Sequence, residues 1–247
     1  ERNRQDLLAY LLGAQCAEER GFEKESPSYG GWDLSGLGDA HGVTTGTNVS
    51  VTCLVLEALA QELRLDPKGK QSREIQGAIA RAATWTHLCQ QKDGGFCFTP
   101  EPMSLNNKAE FKDQDRNEPR SYGTATCDGI RALLACGIKA DDQAVTKAAA
   151  WLAAHPSLEL VPGFEGLPPE LGWQRGLRFY YYASLAKVLP VLPASDIALR
   201  RTALLEMLLK LPRRDGSYLN ESDRMRENDP LIATGLGVVA LAESLKQ

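Results

Sequence analysis

Residues Gln90–Phe98 read QQKDGGFCF. Asp, a Gly pair and an aromatic in that order make a tight turn, because glycine reaches backbone conformations closed to other residues. The grouping recurs. YGGWDLSG begins at Tyr29, RRDGSYLN begins at Arg213, and a looser version, VPGFEGLPPELGW, spans Val161–Trp173. Each copy follows one stretch of helical periodicity and precedes another. A turn repeated in register with helices is a joint, and a repeated joint sets the architecture.

Apolar residues between the joints recur at three-and-four spacing, as in Leu7, Leu8, Leu11 and Leu12, or Ala78, Ala82, Trp85 and Cys89. That is the pattern of amphipathic helices, and strand-like alternation is nearly absent. Four units follow, with first helices near 5–19, 72–90, 142–155 and 195–211. Their second helices lie near 47–63, 121–137, 174–189 and 229–245. Asp229 before Pro230 predicts an N-cap, Asp141 or Asp142 caps the helix carrying Trp151, and Gly137 suits a left-handed C-terminal cap. The second helices are rich in small residues, as in GTATCDGIRALLACG and IATGLGVVALA. Small residues let helices crowd around a common axis. The expected fold is all-α: one domain over 1–247, an α/α toroid, complete or partial, of about four helix hairpins.

Composition narrows the function. Net charge is −4 with no concentrated basic block, which argues against a nucleic-acid partner. The longest apolar candidate, Pro230–Leu245, is interrupted by Thr234, Gly235, Gly237 and Glu243, so no membrane span is expected. Cys16, Cys53, Cys89, Cys97, Cys127 and Cys136 form no C-x-x-C pair and mostly fall in apolar helical runs. They read as buried thiols, with one disulfide left open. The sequence starts at Glu1, which leaves any leader out of view and the compartment, cytoplasmic or exported, open.

QQKDGGF at Gln90–Phe96 resembles the Gln-x-x-Asp-Gly-Gly-aromatic turn of the prenyltransferase and squalene-cyclase (terpenoid cyclase) repeat superfamily. Ser121–Gly137, SYGTATCDGIRALLACG, is similar to the inner-helix segment that follows it in bacterial members. The resemblance covers nearly the whole chain as repeats. It implies an α/α toroid with a deep apolar cavity, and enzymes that cyclise polyenes or prenylate thiols. It also implies that Gln15 with Trp32, Gln90 or Gln91 with Asp93, Gly94, Gly95 and Phe96, and Asp215, Gly216 and Tyr218 are structural joints. A Gln at a helix end can satisfy free backbone groups of a neighbouring helix terminus.

The chemistry the resemblance implies is incomplete in these residues. The cyclases protonate an alkene with an Asp-x-Asp-Asp motif, but here Ala125 and Cys127 stand where acids belong. Asp128 alone remains as a catalytic acid for a cyclase-like isomerase or lyase, and its other reading is a pair with Arg131 three residues on. A zinc site would need His41, Cys127 and Asp128, since His87 and His155 fall on first helices. No cofactor or metal is expected. Asp113, Asp115 and Glu118 form a mixed-charge loop with a D-x-D, while Asp33, Asp39 and His41 lack a nucleophile. Tyr122, Cys127, Trp173, Tyr180 and Tyr182 are the candidate cavity and ligand-binding residues, aromatic faces being suited to cations. Two functions result: an apolar cavity for an isoprenoid or other lipid, or a non-catalytic helical scaffold mediating protein interaction.

Overall fold

The computed structural model describes residues 2–34, 46–101, 108–112 and 118–246. Among them the regular structure is helical and no strand forms beyond two isolated bridges. The first helices of the units are α1 (Arg2–Gly13), α3 (Ser72–Leu88), α5 (Gln143–Ala154) and α8 (Ala194–Lys210). The second helices are α2 (Val49–Leu65), α4 (Gly123–Ala135), α7 (Arg178–Val188) and α9 (Pro230–Ser244), with one short turn of helix, α6 (Trp173–Gly176), ahead of α7.

Local chemistry sets these boundaries. The side chains of Asn48, Asp142 and Asp229 accept from the backbone N–H of Val51, Ala144 and Leu231 at 2.9, 2.8 and 2.8 Å, capping α2, α5 and α9. Gly137 stops α4 at φ +83°, and the Ile138 N–H turns back to the Leu133 carbonyl. The first helix ends at Gly13, short of the expected 19. The chain beyond it is engaged elsewhere: the Cys16 N–H donates to Gly31 O at 3.0 Å and the Gly30 N–H to Cys16 O at 2.7 Å. The helix expected over 174–189 is broken at Leu177. There the buried Glu227 carboxylate accepts from the N–H groups of Phe179 and Tyr180, at 3.0 and 2.9 Å, and starts α7 afresh.

The second helices pack in series, α2 on α4, α4 on α7 and α7 on α9. The first helices flank that row: α3 lies on α2 and α4, α5 on α4, and α8 on α7 and α9. α4 is buried from Gly123 through Leu133, which its Gly, Ala and Thr residues permit. All six cysteines are free, five of them buried.

The turns join the units by a recurring set of bonds. The backbone N–H of Trp32, Phe96 and Tyr218 donates to the hydroxyl of Thr52, Thr126 and Thr234, each at 3.0 Å, on the second helix of the same unit. The Phe96 and Tyr218 rings then lie over Gly129 and Gly237, where an added Cβ would come within 2.4 and 2.6 Å of ring carbons. Between units the contact is a glutamine. Gln15 Nε2 donates to Gly30 O and Ala78 O, both at 2.9 Å, and Gln90 Nε2 donates to Gly94 O and Ala144 O at 2.9 and 2.8 Å. Each glutamine thus ties its own turn to the first helix of the next unit. Asp93 Oδ1 accepts from the Gly95 N–H and the Ser121 hydroxyl, and Gly95 lies against Ser121 and Trp151. Asp215 Oδ1 accepts from the Ser217 N–H and hydroxyl.

Candidate functional site: an ion cluster among the second helices

Seven side chains of the second helices meet between α2, α4 and α7. Asp128, fully buried, is the centre. Its Oδ2 accepts from the Ser50 hydroxyl at 2.7 Å and the Tyr180 hydroxyl at 2.9 Å. Its Oδ1 accepts from Arg131 Nη1 at 2.8 Å and the Ser184 hydroxyl at 2.9 Å. Arg131 continues the chain with a two-pronged bond to Glu57, Nε to Oε1 and Nη2 to Oε2, both at 2.8 Å. Lys187 Nζ approaches the same Glu57 at 3.5 Å. Asp128 and Arg131 are a buried pair that balance one another, as buried charges require, while Glu57 and Lys187 are half-buried.

This geometry fixes what Asp128 can do. Four donors converge on its two oxygens and occupy both. A general acid needs an oxygen within hydrogen-bond reach of substrate, and here both oxygens already face protein donors. Burial raises the Glu57 carboxyl, but the hydrogen bonds and charge of Arg131, with Lys187, outweigh it and hold the group below its ordinary value. Burial and the Asp128 charge hold the Tyr122 and Tyr180 hydroxyls well above the usual phenol range, so both stay protonated.

The hollow that α2, α4, α7 and α9 share has a volume of about 650 Å³. Its walls include Glu57, Gln61, Arg64, Lys187, Glu243 and Lys246. This hollow is charged, because Glu57, Gln61 and Arg64 of α2, Arg131 of α4, Lys187 of α7 and Glu243 of α9 turn toward it.

The expected cavity residues separate. Tyr180 joins the cluster, but Tyr182 points away from it, donating its hydroxyl to Leu158 O at 2.6 Å and packing edge-on to Phe179. Consecutive helical residues lie about 100° apart, so Tyr180 and Tyr182 fall on opposite sides of α7. Cys127 is fully buried in the core beside Asp128, its thiol pushed well up by burial. Tyr122 is buried edge-on to Phe164, with ring centroids 5.2 Å apart. Trp173 is half-buried with two cations near its ring, Lys108 Nζ at 5.5 Å and the Arg224 guanidinium at 5.6 Å from the centroid. Lys108 also sits 3.1 Å from the centre of the Phe98 ring, and burial pushes its ammonium down to about 7 against an opposing pull from Asp128.

For a metal, no group of three His, Cys, Asp or Glu side chains is suitably placed among the described residues. Asp39, His41, Asp113 and Asp115 lie outside the described residues. His87 is exposed and His155 stacks on Trp151 with centroids 4.0 Å apart. Glu118 pairs with Lys92. Among the described residues no helix is long and apolar enough to cross a membrane. Ser50, Glu57, Ser184 and Lys187 carry the site without having been singled out in the sequence. Their signal is one-sided spacing, Tyr180, Ser184 and Lys187 at steps of four and three on α7, and Ser50 and Glu57 two turns apart on α2. No protein-family model matches the chain, and no curated protein or solved structure shows significant similarity to it.

Proposed function

We propose that this chain is a non-catalytic helical-repeat scaffold that mediates protein interaction, its second helices forming the inner row of a complete or partial α/α toroid. The observation that carries the reading is the saturation of Asp128: the one acid left for polyene cyclisation is spent on Ser50, Tyr180, Ser184 and Arg131. The cluster is a rivet. It ties α2, α4 and α7 through a path that includes Glu57, and losing one partner strands a buried charge. An isoprenoid seated in the hollow would have to desolvate Glu57, Lys187 and Arg64, which opposes its binding.

Native mass spectrometry after incubation with squalene and with farnesyl diphosphate tests this. The expected spectrum shows the bare protein, and Asp128→Asn lowers the denaturation midpoint with no product lost. Retained isoprenoid, or a cyclised product that disappears in Asp128→Asn, overturns the scaffold reading in favour of a terpenoid-cyclase-like enzyme.

A further inference from the structure

α9 is the last helix of the row among the described residues and is built like a helix from its middle. Its sequence, PLIATGLGVVALAES, has one charged residue, Glu243, and its apolar residues surround the axis. A helix apolar on every side belongs between neighbours. One stripe, Ala233, Gly237, Ala240 and Ser244, is buried, with the Tyr218 ring over Gly237. The opposite stripe is exposed: Leu231 at 80%, Val238 at 55% and Leu245 at 69%, flanked by Ile232 and Val239 at 38% each. With the exposed Gly235 and Ala242 it reads Leu231, Gly235, Val238, Ala242, Leu245, which alternates steps of four and three. That is the seam of a two-helix coiled coil.

We infer that this stripe pairs with the same stripe of a second copy of the chain, the two α9 helices antiparallel and crossing at Val238. The inference rests on the scaffold reading and names its partner. Three observations favour this occupant. The stripe is close to its own mirror image about Val238, with a leucine seven residues away on each side and a small residue three before and four after. An antiparallel crossing sets Leu231 against the partner's Leu245 and Gly235 against the partner's Ala242, so the helices approach closely at their small residues. The ends are complementary in charge, since Asp229 comes beside the partner's Lys246, which in the single chain pairs with Glu243 at 2.7 Å, and the helix dipoles oppose. The exposed side chains amount to roughly 500 Å² per copy, so about 1,000 Å² in all, the lower bound for a specific interface. Twofold pairing is also the commonest assembly of soluble chains.

Sedimentation equilibrium of the 247-residue chain over a wide concentration range should show a monomer–dimer equilibrium. Val238→Glu should weaken it at least about tenfold with an unchanged circular dichroism spectrum, because Val238 is exposed in the single chain. Orientation is read by cysteine crosslinking. Val238→Cys should form a disulfide-linked dimer on mild oxidation. Leu231→Cys mixed with Leu245→Cys should crosslink to each other and not to themselves. A monomer at every concentration, or a dimer indifferent to Val238→Glu, overturns the pairing, while the scaffold reading is judged separately by isoprenoid retention. Self-crosslinking of Leu231→Cys in preference to the mixed pair overturns the antiparallel arrangement. Monomeric protein that co-sediments with phosphatidylcholine vesicles through Val238 assigns the stripe to lipid and overturns the inference as well.

Discussion

The turns at Gly94 and Gly216 share a sequence pattern and a backbone, yet among the described residues only the first docks another unit. In both, the N–H of the glycine closes on the residue three before it, Gln91 or Arg213, at 2.9 Å. Both glycines have positive φ, +91° and +83°. Both turns hand the following aromatic to a threonine on the second helix. The difference is outward. Gly94 is buried, and an added Cβ would stand 2.9 Å from the carbonyl oxygen of Lys147 on the next first helix, whereas at Gly216 nothing lies within 4 Å. Gly30 repeats the Gly94 arrangement against the Arg81 carbonyl at 2.6 Å. Where Gln90 bridges to Ala144, the last turn carries Pro212, which has no side-chain donor. The turn motif therefore does two separable jobs. It shapes its own unit at all three turns that carry the clamp, and it docks the next unit only where one follows among the described residues.

Substitutions at matched positions separate the two jobs. Gly94→Ala combines backbone strain with a clash against Lys147 O and should cost about 3 kcal/mol, whereas Gly216→Ala carries only the strain, about 1 kcal/mol. Urea denaturation midpoints measure both, and equal losses would mean that the inter-unit contact contributes nothing. Gln90→Ala leaves the Ala144 and Gly94 carbonyls without this donor and should cost about 2 kcal/mol, against less than about 0.5 kcal/mol for Pro212→Ala. The shared job should respond more evenly. Thr126→Val and Thr234→Val each remove the acceptor of an aromatic N–H, and each should lose about 1 kcal/mol, with the buried Thr126 the larger. The smallest effect concerns acid. Burial raises Asp93, but the Ser121 hydroxyl and the Lys112 ammonium outweigh it and hold the carboxyl below its ordinary value. A carboxyl lowered on folding stabilises above its unfolded pKa, and that stabilisation is lost as pH falls through the folded one. Stability should therefore drop below about pH 4, and Asp93→Asn should flatten that drop. Denaturation midpoints collected across the acid range would show it.

Much of the all-helical plan was legible in the residues, because caps and glycine stops are local. Asp142, Asp229 and Gly137 announce boundaries within a few residues of where they fall. Boundaries set from a distance were not legible. The break at Leu177 depends on Glu227, roughly fifty residues later, and the early end of α1 depends on the Gly30–Gly31 turn. The cluster divides in the same way. Asp128 with Arg131 is a pair three residues apart and could be read directly. Ser50, Glu57 and Ser184 reach them across 78, 74 and 56 residues, and only the order of helices in the row brings them together. Tyr180 and Tyr182 looked equivalent because spacing alone cannot tell which side of α7 faces α2.

The threonine clamp has a further consequence for how this chain can vary. The residues between clamp donor and clamp acceptor number differently in each of the three units that have the clamp, the two partners being 20, 30 and 16 positions apart, yet the bond length is the same 3.0 Å. The clamp fixes both ends of each intervening segment, so added length that leaves anchors such as Glu227 and Glu101 in place costs chiefly loop-closure entropy. Between those anchors the segments are ports: a peptide or a whole domain inserted there would be carried on the frame without altering how the helices meet.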